Sequence, residues 1–308
     1  MIDKAVVSAI RAHHAAEVQI GPERALDQCV RHDDLAHGQL HASIAAAART
    51  MGFIEIDAQV LAKAWCQQSE RGGRFDAAAW PDHPDDFGWT SPPEQERFAP
   101  CPNRLGLYAV LPDAHWIARM AQAGVPTLQL RFKSDDPQAI DREVRDAVRA
   151  VEGSTSLLFI NDHWQAALEQ GAYGVHLGQE DLEAQRAGLA RLRAAGLRLG
   201  LSTHGYVEMS IAAAVAPSYL ALGAVYPTTL KRMATAPQGP GRLARYARLA
   251  RGFPLVAIGG IDADRMPQAL ASGVASIAVV RALVAASKPE AEAARLMAII
   301  ARAGVGQN

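Results

Sequence analysis

From residue 104 onward the chain repeats one unit eight times: a short apolar run, then a longer amphipathic, alanine-rich segment. The runs are LGLYAV (105–110), TLQLRF (127–132), LLFIN (157–161), GVHL (174–177), LRLGLS (197–202), YLALGAV (219–225), PLVAIGG (254–260) and SIAVV (276–280). Strands that are apolar throughout, with helices between them, indicate a parallel sheet whose outer face is covered. Eight such units in about 200 residues fit an α/β fold of the closed (β/α)8 TIM-barrel type, at the small end of its range. A six-stranded open sheet leaves two runs without a place.

The residues before this repeat follow other rules. Residues 1–79 read as a mainly helical extension, because apolar residues recur at three- and four-residue steps in Val6–Ile10, Leu40–Met51 and Ile56–Trp65. Gly72 and Gly73 stop the third of these segments. Residues 80–103 hold six prolines and are otherwise largely polar or acidic, so they read as a Pro-rich linker and mark the domain boundary. His37 and His41 are four residues apart and would share a helix face. No cysteine or carboxylate completes a ligand set around them, so they are read as solvated side chains.

The formal net charge of −1 gives no global positive field, so neither nucleic acid nor an anionic membrane is expected as a partner. Small molecules are, and self-association is compatible with a barrel of this kind. Cys29, Cys66 and Cys101 form no CxxC pair, and their odd number points to free thiols in a reducing compartment. The N-terminal stretch has no uninterrupted apolar core, so a cytoplasmic location is expected.

In such a barrel the active site lies at the C-terminal ends of the strands. Polar residues crowd there: Gln129, Arg131 and Lys133 after the second run; Asn161 and Asp162 after the third; Glu180 and Asp181 after the fourth. Ser202, Thr203 and His204 follow the fifth run, and Thr228, Thr229 and Lys231 the sixth. Gln129 and Arg131 alternate with apolar neighbours and point into the barrel, and an inward arginine requires an anion. Asp162 and Asp181 suit Mg²⁺, which takes few carboxylates and completes its shell with water and phosphate oxygens. The alternative is a pair of helix N-caps. Gly259 and Gly260, with Val280 and Arg281 at the end of the eighth run, suggest a phosphate corner built from backbone N–H groups, or simply a tight turn. The residues alone thus reach a barrel enzyme with a diphosphate–metal site and a monophosphate site.

The motifs LQLRFK (128–133), FIND (159–162), GVHLGQED (174–181), GLSTH (200–204), LGAVYPTTLK (222–231), AIGGI (257–261) and AVVRA (278–282) stand in the order found in thiamine-phosphate synthases. The resemblance covers about residues 105–285, nearly the whole repeat. It implies that Gln129, Arg131, Lys133 and Asn161 contact a pyrimidine diphosphate, that Asp162 and Asp181 hold Mg²⁺, and that Ser202 and Lys231 add contacts to the diphosphate. It also implies that Thr228 and its neighbour Thr229, with Gly259, Gly260, Val280 and Arg281, hold a thiazole phosphate. Arg131, Lys133 and Lys231 would then carry the chemistry by stabilising the leaving diphosphate. His176 and His204 are read as shaping the pocket, His204 against substrate, because bond formation needs no general base. Two positions depart from the family pattern. Leu230 stands where the strand-six motif has a second threonine, and Arg281 where serine is frequent. A thiazole-phosphate isomerase-like barrel and a non-catalytic phosphate-ligand sensor are the alternatives. The former has no use for Asp162, Asp181 and Lys231, the latter none for a metal-bound leaving group. IDAQVLAKAWCQQSERGG (56–73) faintly resembles the C-terminal helices of hydroxymethylpyrimidine kinases, which makes the extension a kinase remnant or, equally, a structural cap.

Overall fold

The structure, a computed structural model, describes residues 2–29, 38–184, 186–228 and 235–305. Three helices come first: α1 (Lys4–Val18), α2 (Gln39–Thr50) and α3 (Glu55–Gly72). Eight strands follow: β1 (Leu107–Leu111), β2 (Thr127–Leu130), β3 (Leu157–Asn161), β4 (Gly174–Leu177), β5 (Arg198–Thr203), β6 (Tyr219–Leu222), β7 (Leu255–Ile258) and β8 (Ser276–Val279). They form one closed parallel barrel in chain order. The barrel shuts where β1 pairs with β8, Leu107 opposite Ile277 and Ala109 opposite Val279. The outer helices are α4 (Ala114–Gln122), α5 (Pro137–Ala150), α6 (Trp164–Glu169), α7 (Gln179–Ala184), α8 (Arg186–Ala194), α9 (Tyr206–Val215), α10 (Gly239–Leu249), α11 (Met266–Leu270), α12 (Arg281–Val284) and α13 (Pro289–Val305). Every expected run contains a strand. The seventh strand ends earlier than its apolar run, because Gly259 and Gly260 adopt φ values of 103° and 65° that leave the extended region.

Period-two alternation splits the strand residues into two cores. Tyr108, Val110, Phe159, Tyr219, Ala221, Val256 and Ala278 pack together inside the barrel, whereas Leu107, Ala109 and Leu111 face the helices. The interior is filled by two large rings that small neighbours make room for. A Cβ on Gly200 would lie 2.1 Å from the Tyr219 ring, and one on Gly174 2.6 Å from the Phe159 ring. Large side chains therefore fill the barrel floor beneath its C-terminal rim.

The extension lies on the outside of α9 and α10. Its core is continuous with the outer core of the barrel: Val7, Ile10, Phe53, Leu61 and Trp65 join the cluster that holds Tyr206, Leu243 and Tyr246. α3 ends where the glycines stop it, with Gly73 in the left-handed region at φ 72°. Residues 80–103 run along the barrel. Trp80 and Phe98 are buried, Trp80 Nε1 donates to the Tyr206 hydroxyl at 2.9 Å, and Trp89 Nε1 donates to Ser210 Oγ at 2.9 Å. His41 is buried, which corrects the reading of a solvated histidine; α2 turns that face toward α3, the helix it packs on most extensively. His37 lies outside the described residues. The three cysteines are free thiols. Among the described residues no helix is long and apolar enough to cross a membrane.

Arg242 ties the extension to α10. Its Nε donates to the Val18 carbonyl at 2.8 Å and an NH2 to the Met51 carbonyl at 2.9 Å, while the guanidinium lies 3.6 Å over the Phe53 ring. Both carbonyls belong to helix C-termini, where no intrahelical donor remains. Replacing Arg242 by alanine leaves the Val18 carbonyl buried without its donor, and is expected to cost about 2–3 kcal/mol of unfolding free energy. Urea unfolding measures this; a change below about 0.5 kcal/mol, the size of an ordinary surface substitution, would contradict the assigned role.

Candidate active site

A cavity of about 570 Å³ opens at the C-terminal rim. Its wall holds the residues expected there: Gln129, Arg131 and Lys133 from the end of β2, Asn161 and Asp162 from β3, Asp181 from the turn after β4, and Ser202 and His204 from β5. Thr228, Gly259, Gly260, Val280 and Arg281 line the opposite side. Thr229, Leu230 and Lys231 lie outside the described residues.

At one end, Lys133 Nζ stands 2.5 Å from Asp162 Oδ2. Asp162 has a left-handed backbone, φ 63°, which is uncommon for a non-glycine residue and frequent where function dictates side-chain direction. It does not cap α6, whose N-cap is His163; its carboxylate turns to the cavity instead. Asp181, in the first turn of α7, accepts a long bond from Gly178 N at 3.3 Å. Burial and then the neighbouring Asp162 carboxylate push the Asp181 carboxyl above the usual carboxylate range. Two hard oxygen donors that repel each other at a half-open rim form a set that a cation would relieve. Among the described residues no group of three or more His, Cys, Asp or Glu side chains gathers as a full metal cage. A Mg²⁺ that draws its remaining ligands from water and phosphate fits such a pair.

A buried polar chain crosses the barrel beneath this end. Gln129 Nε2 donates to the Tyr108 hydroxyl at 3.2 Å; the Tyr108 and Tyr219 hydroxyls are 2.7 Å apart. The Tyr219 hydroxyl lies 2.7 Å from His176 Nδ1, and His176 Nε2 lies 2.8 Å from Ser202 Oγ. Burial raises the pKa of both phenols, so they stay neutral. Only one polarity gives the buried Tyr108 hydrogen an acceptor: Tyr108 donates to Tyr219, Tyr219 to Nδ1, and Nε2–H to Ser202. Ser202 then keeps its own O–H for a ligand in the cavity.

The next stretch of wall is locked from outside. Glu208 Oε2 accepts from His204 Nδ1 at 2.6 Å and from His204 N at 2.8 Å. A carboxylate only accepts, so Nδ1 carries the hydrogen. Gln238 Nε2 donates to the carbonyls of His204, at 2.8 Å, and Gly223, at 2.7 Å, and so joins the turns after β5 and β6.

At the other end, Gly259 and Gly260 combine positive φ with close packing. A Cβ on Gly259 would meet Ala224 Cα at 2.6 Å, and one on Gly260 the Pro227 carbonyl at 2.5 Å. Arg265 donates to the Gly260 carbonyl at 2.8 Å and stacks over Tyr226. Arg281 opens α12 at the rim. Among the described residues no carboxylate pairs with Arg131 or Arg281, so both guanidinium groups are available to anions. Tyr108, Tyr219, Glu208, Gln238 and Arg265 are not singled out by the sequence. Tyr219 sits in an ordinary apolar run, and Gln238 follows a proline in a loop. The one local signal is Glu208, four residues beyond His204 in a helix start.

Fold and cavity define a (β/α)8 barrel with a polar cavity at the C-terminal rim of its strands. A family model described as thiamine monophosphate synthase matches residues 107–283, and the chain belongs to that family. Thiamine-phosphate synthase of Neisseria meningitidis serogroup A is 53% identical over 194 residues, 63% of this chain and 94% of that protein. Thiamine-phosphate synthase of Escherichia coli O6:H1 is 48% identical over 212 residues, 69% of this chain and 98% of that protein. The solved thiamine phosphate pyrophosphorylase from Pyrococcus furiosus matches with a TM-score of 0.57 at 26% identity, covering 65% of this chain and 98% of the other.

The polar chain makes a direct prediction. In ¹⁵N NMR spectra, His176 is expected as the Nε2–H tautomer, with Nδ1 bare; an Nδ1–H tautomer would reverse the assigned polarity. Tyr219→Phe removes the donor to Nδ1 and is expected to cost about 1–3 kcal/mol of stability.

Proposed function

We propose that this chain joins 4-amino-2-methyl-5-hydroxymethylpyrimidine diphosphate to 4-methyl-5-(2-phosphooxyethyl)thiazole, giving thiamine phosphate and diphosphate with the help of Mg²⁺. Family membership supports the overall reaction. The observation that carries the residue-level reading is the separation of charge along one rim. Two mutually repelling carboxylates, Asp162 and Asp181, stand with Lys133 at one end, and among the described residues no carboxylate pairs with the guanidinium groups of Arg131 or Arg281.

In this reading the methylene C–O bond of the pyrimidine breaks and its electron pair leaves with diphosphate. The thiazole nitrogen lone pair forms the new C–N bond, and no proton has to move. An electron-rich aminopyrimidine shares the positive charge, which favours a dissociative path through a pyrimidine cation. Gln129, Asn161 and Ser202 orient the pyrimidine diphosphate. Arg131, Lys133 and Lys231 stabilise the charge that develops on the leaving group. Asp162 and Asp181 would hold Mg²⁺, which when bound neutralises diphosphate charge. His204 forms part of the wall beside Ser202. Thr228, Thr229, Gly259, Gly260, Val280 and Arg281 hold the thiazole phosphate and align its nitrogen with the carbon. The synthase unit is residues 104–308, with 1–79 an ancillary helical part reached through 80–103. Cytoplasmic location and self-association stay part of this proposal.

The test is product formation from purified protein, both substrates and Mg²⁺, with and without EDTA. Metal-dependent release of diphosphate, matched mole for mole by thiamine phosphate, is expected. Binding of both ligands without reaction would favour a ligand sensor. Lys231→Ala is expected to lose about 2–4 kcal/mol of transition-state stabilisation while remaining folded. Wild-type turnover in that variant would remove Lys231 from the mechanism.

A further inference from the structure

We propose that the N-terminal extension completes the active-site wall from outside the barrel: Asp57 of α3 is a positioning residue that caps α9 and thereby fixes the turn that carries His204, directly after Ser202 and Thr203 at the end of β5. This inference rests on the synthase reading for its kinetic consequence, though not for its geometry.

α9 begins at the cavity rim, directly after β5 and His204. The first N–H groups of a helix have no intrahelical acceptor, and a side-chain oxygen at the N-cap normally takes one of them. Here the N-cap is Gly205, which has no side chain to offer. Its φ of −176° is ordinary extended backbone, so the conformation does not call for glycine. The demand comes from space. A Cβ on Gly205 would lie 2.0 Å from Asp57 Oδ2. Asp57 Oδ1 accepts from Val207 N at 3.0 Å, from 150 residues away in the sequence. A carboxylate from the extension thus occupies the place of the missing cap.

The arrangement serves more than helix stability. Asp57 is buried, and burial raises its carboxyl pKa while the α9 amides and Arg242 pull the other way. A second carboxylate, Glu208, already serves this helix start, turned back onto the main chain and ring of His204. Asp57 and Glu208 therefore hold Val207 and His204, on either side of Gly205, and Gln238 holds the His204 carbonyl from the far side. Without Asp57 the first turn of α9 loses one of its anchors, and the place of His204 on the wall, next to Ser202, is less firmly fixed. The phosphate corner at Gly259 and Gly260 hangs on β7 and is not touched by this contact.

The experiment measures steady-state kinetics for both substrates, with amide exchange in α9. Asp57→Ala is expected to raise KM for the pyrimidine diphosphate, or lower kcat, about tenfold. KM for the thiazole phosphate should stay within twofold. The Tyr206 to Met209 amides should lose protection. In the double variant Asp57→Ala/Gly205→Ser, the serine hydroxyl enters the vacated space and supplies a local cap, which should restore both kinetics and protection. Gly205→Ser alone meets Asp57 and should be impaired. Asp57→Asn keeps the acceptor oxygen and serves if the alanine variant does not fold; near-wild-type kinetics are expected for it. Unchanged kinetics in Asp57→Ala, or equal losses for both substrates that the double variant does not restore, would overturn the proposal. A wild-type protein without synthase activity would sink the synthase reading instead. The exchange pattern would then still decide the capping claim.

Discussion

Closure of the sheet between β8 and β1 is the constraint on which the site depends. A parallel strand must be left at its C-terminal end and re-entered at its N-terminal end, so every return helix runs outside and every strand points the same way. Once the last strand pairs with the first, the C-terminal ends form a ring. Residues as far apart in sequence as Gln129 and Arg281 then share one cavity without any long-range pairing of their own. The rings of Phe159 and Tyr219, admitted by Gly174 and Gly200, fill the barrel below. They give the rim residues a rigid floor.

On that floor the rim keeps groups that no packed core would tolerate. Asp162 and Asp181 repel each other, and Asp162 holds a backbone conformation that an isolated aspartate visits rarely. Such features cost stability and persist only where surrounding structure over-determines them. The surrounding structure here is a polar scaffold: the chain from Gln129 through Tyr108, Tyr219 and His176 to Ser202 below, and Glu208 and Gln238 at the side. Preorganised groups of this kind need no rearrangement when charge develops on a bound ligand.

The barrel was legible in the sequence because a strand covered on its outer face and packed inside must be apolar along its length, and eight runs with amphipathic spacers allow few closures. The rim residues were legible because position after a strand fixes position in the fold: Asp162 after FIN and Gln129 inside TLQL needed no knowledge of distant partners. What escaped depends on contacts between remote segments. Nothing around Asp57 marks it as a cap for a helix that starts 150 residues later, and Gly205 reads as a plain turn glycine until its neighbour is known. Tyr219 looks like core because it is core, and its hydroxyl matters only once Tyr108 and His176 are placed opposite. His41 was misread as solvated because a short alanine-rich helix does not reveal which face another helix will cover.

The central claim is that Asp162 and Asp181 together hold a divalent cation against the diphosphate. Crystals grown with Mn²⁺ and inorganic diphosphate allow the most direct measurement, an anomalous difference map at the manganese edge. The account predicts a peak between the two carboxylates, in contact with diphosphate oxygens, with Lys133 turned from Asp162 toward the anion. Diphosphate bound by Arg131 and Lys133, with no peak at the carboxylates and the Lys133–Asp162 pair intact, would contradict it.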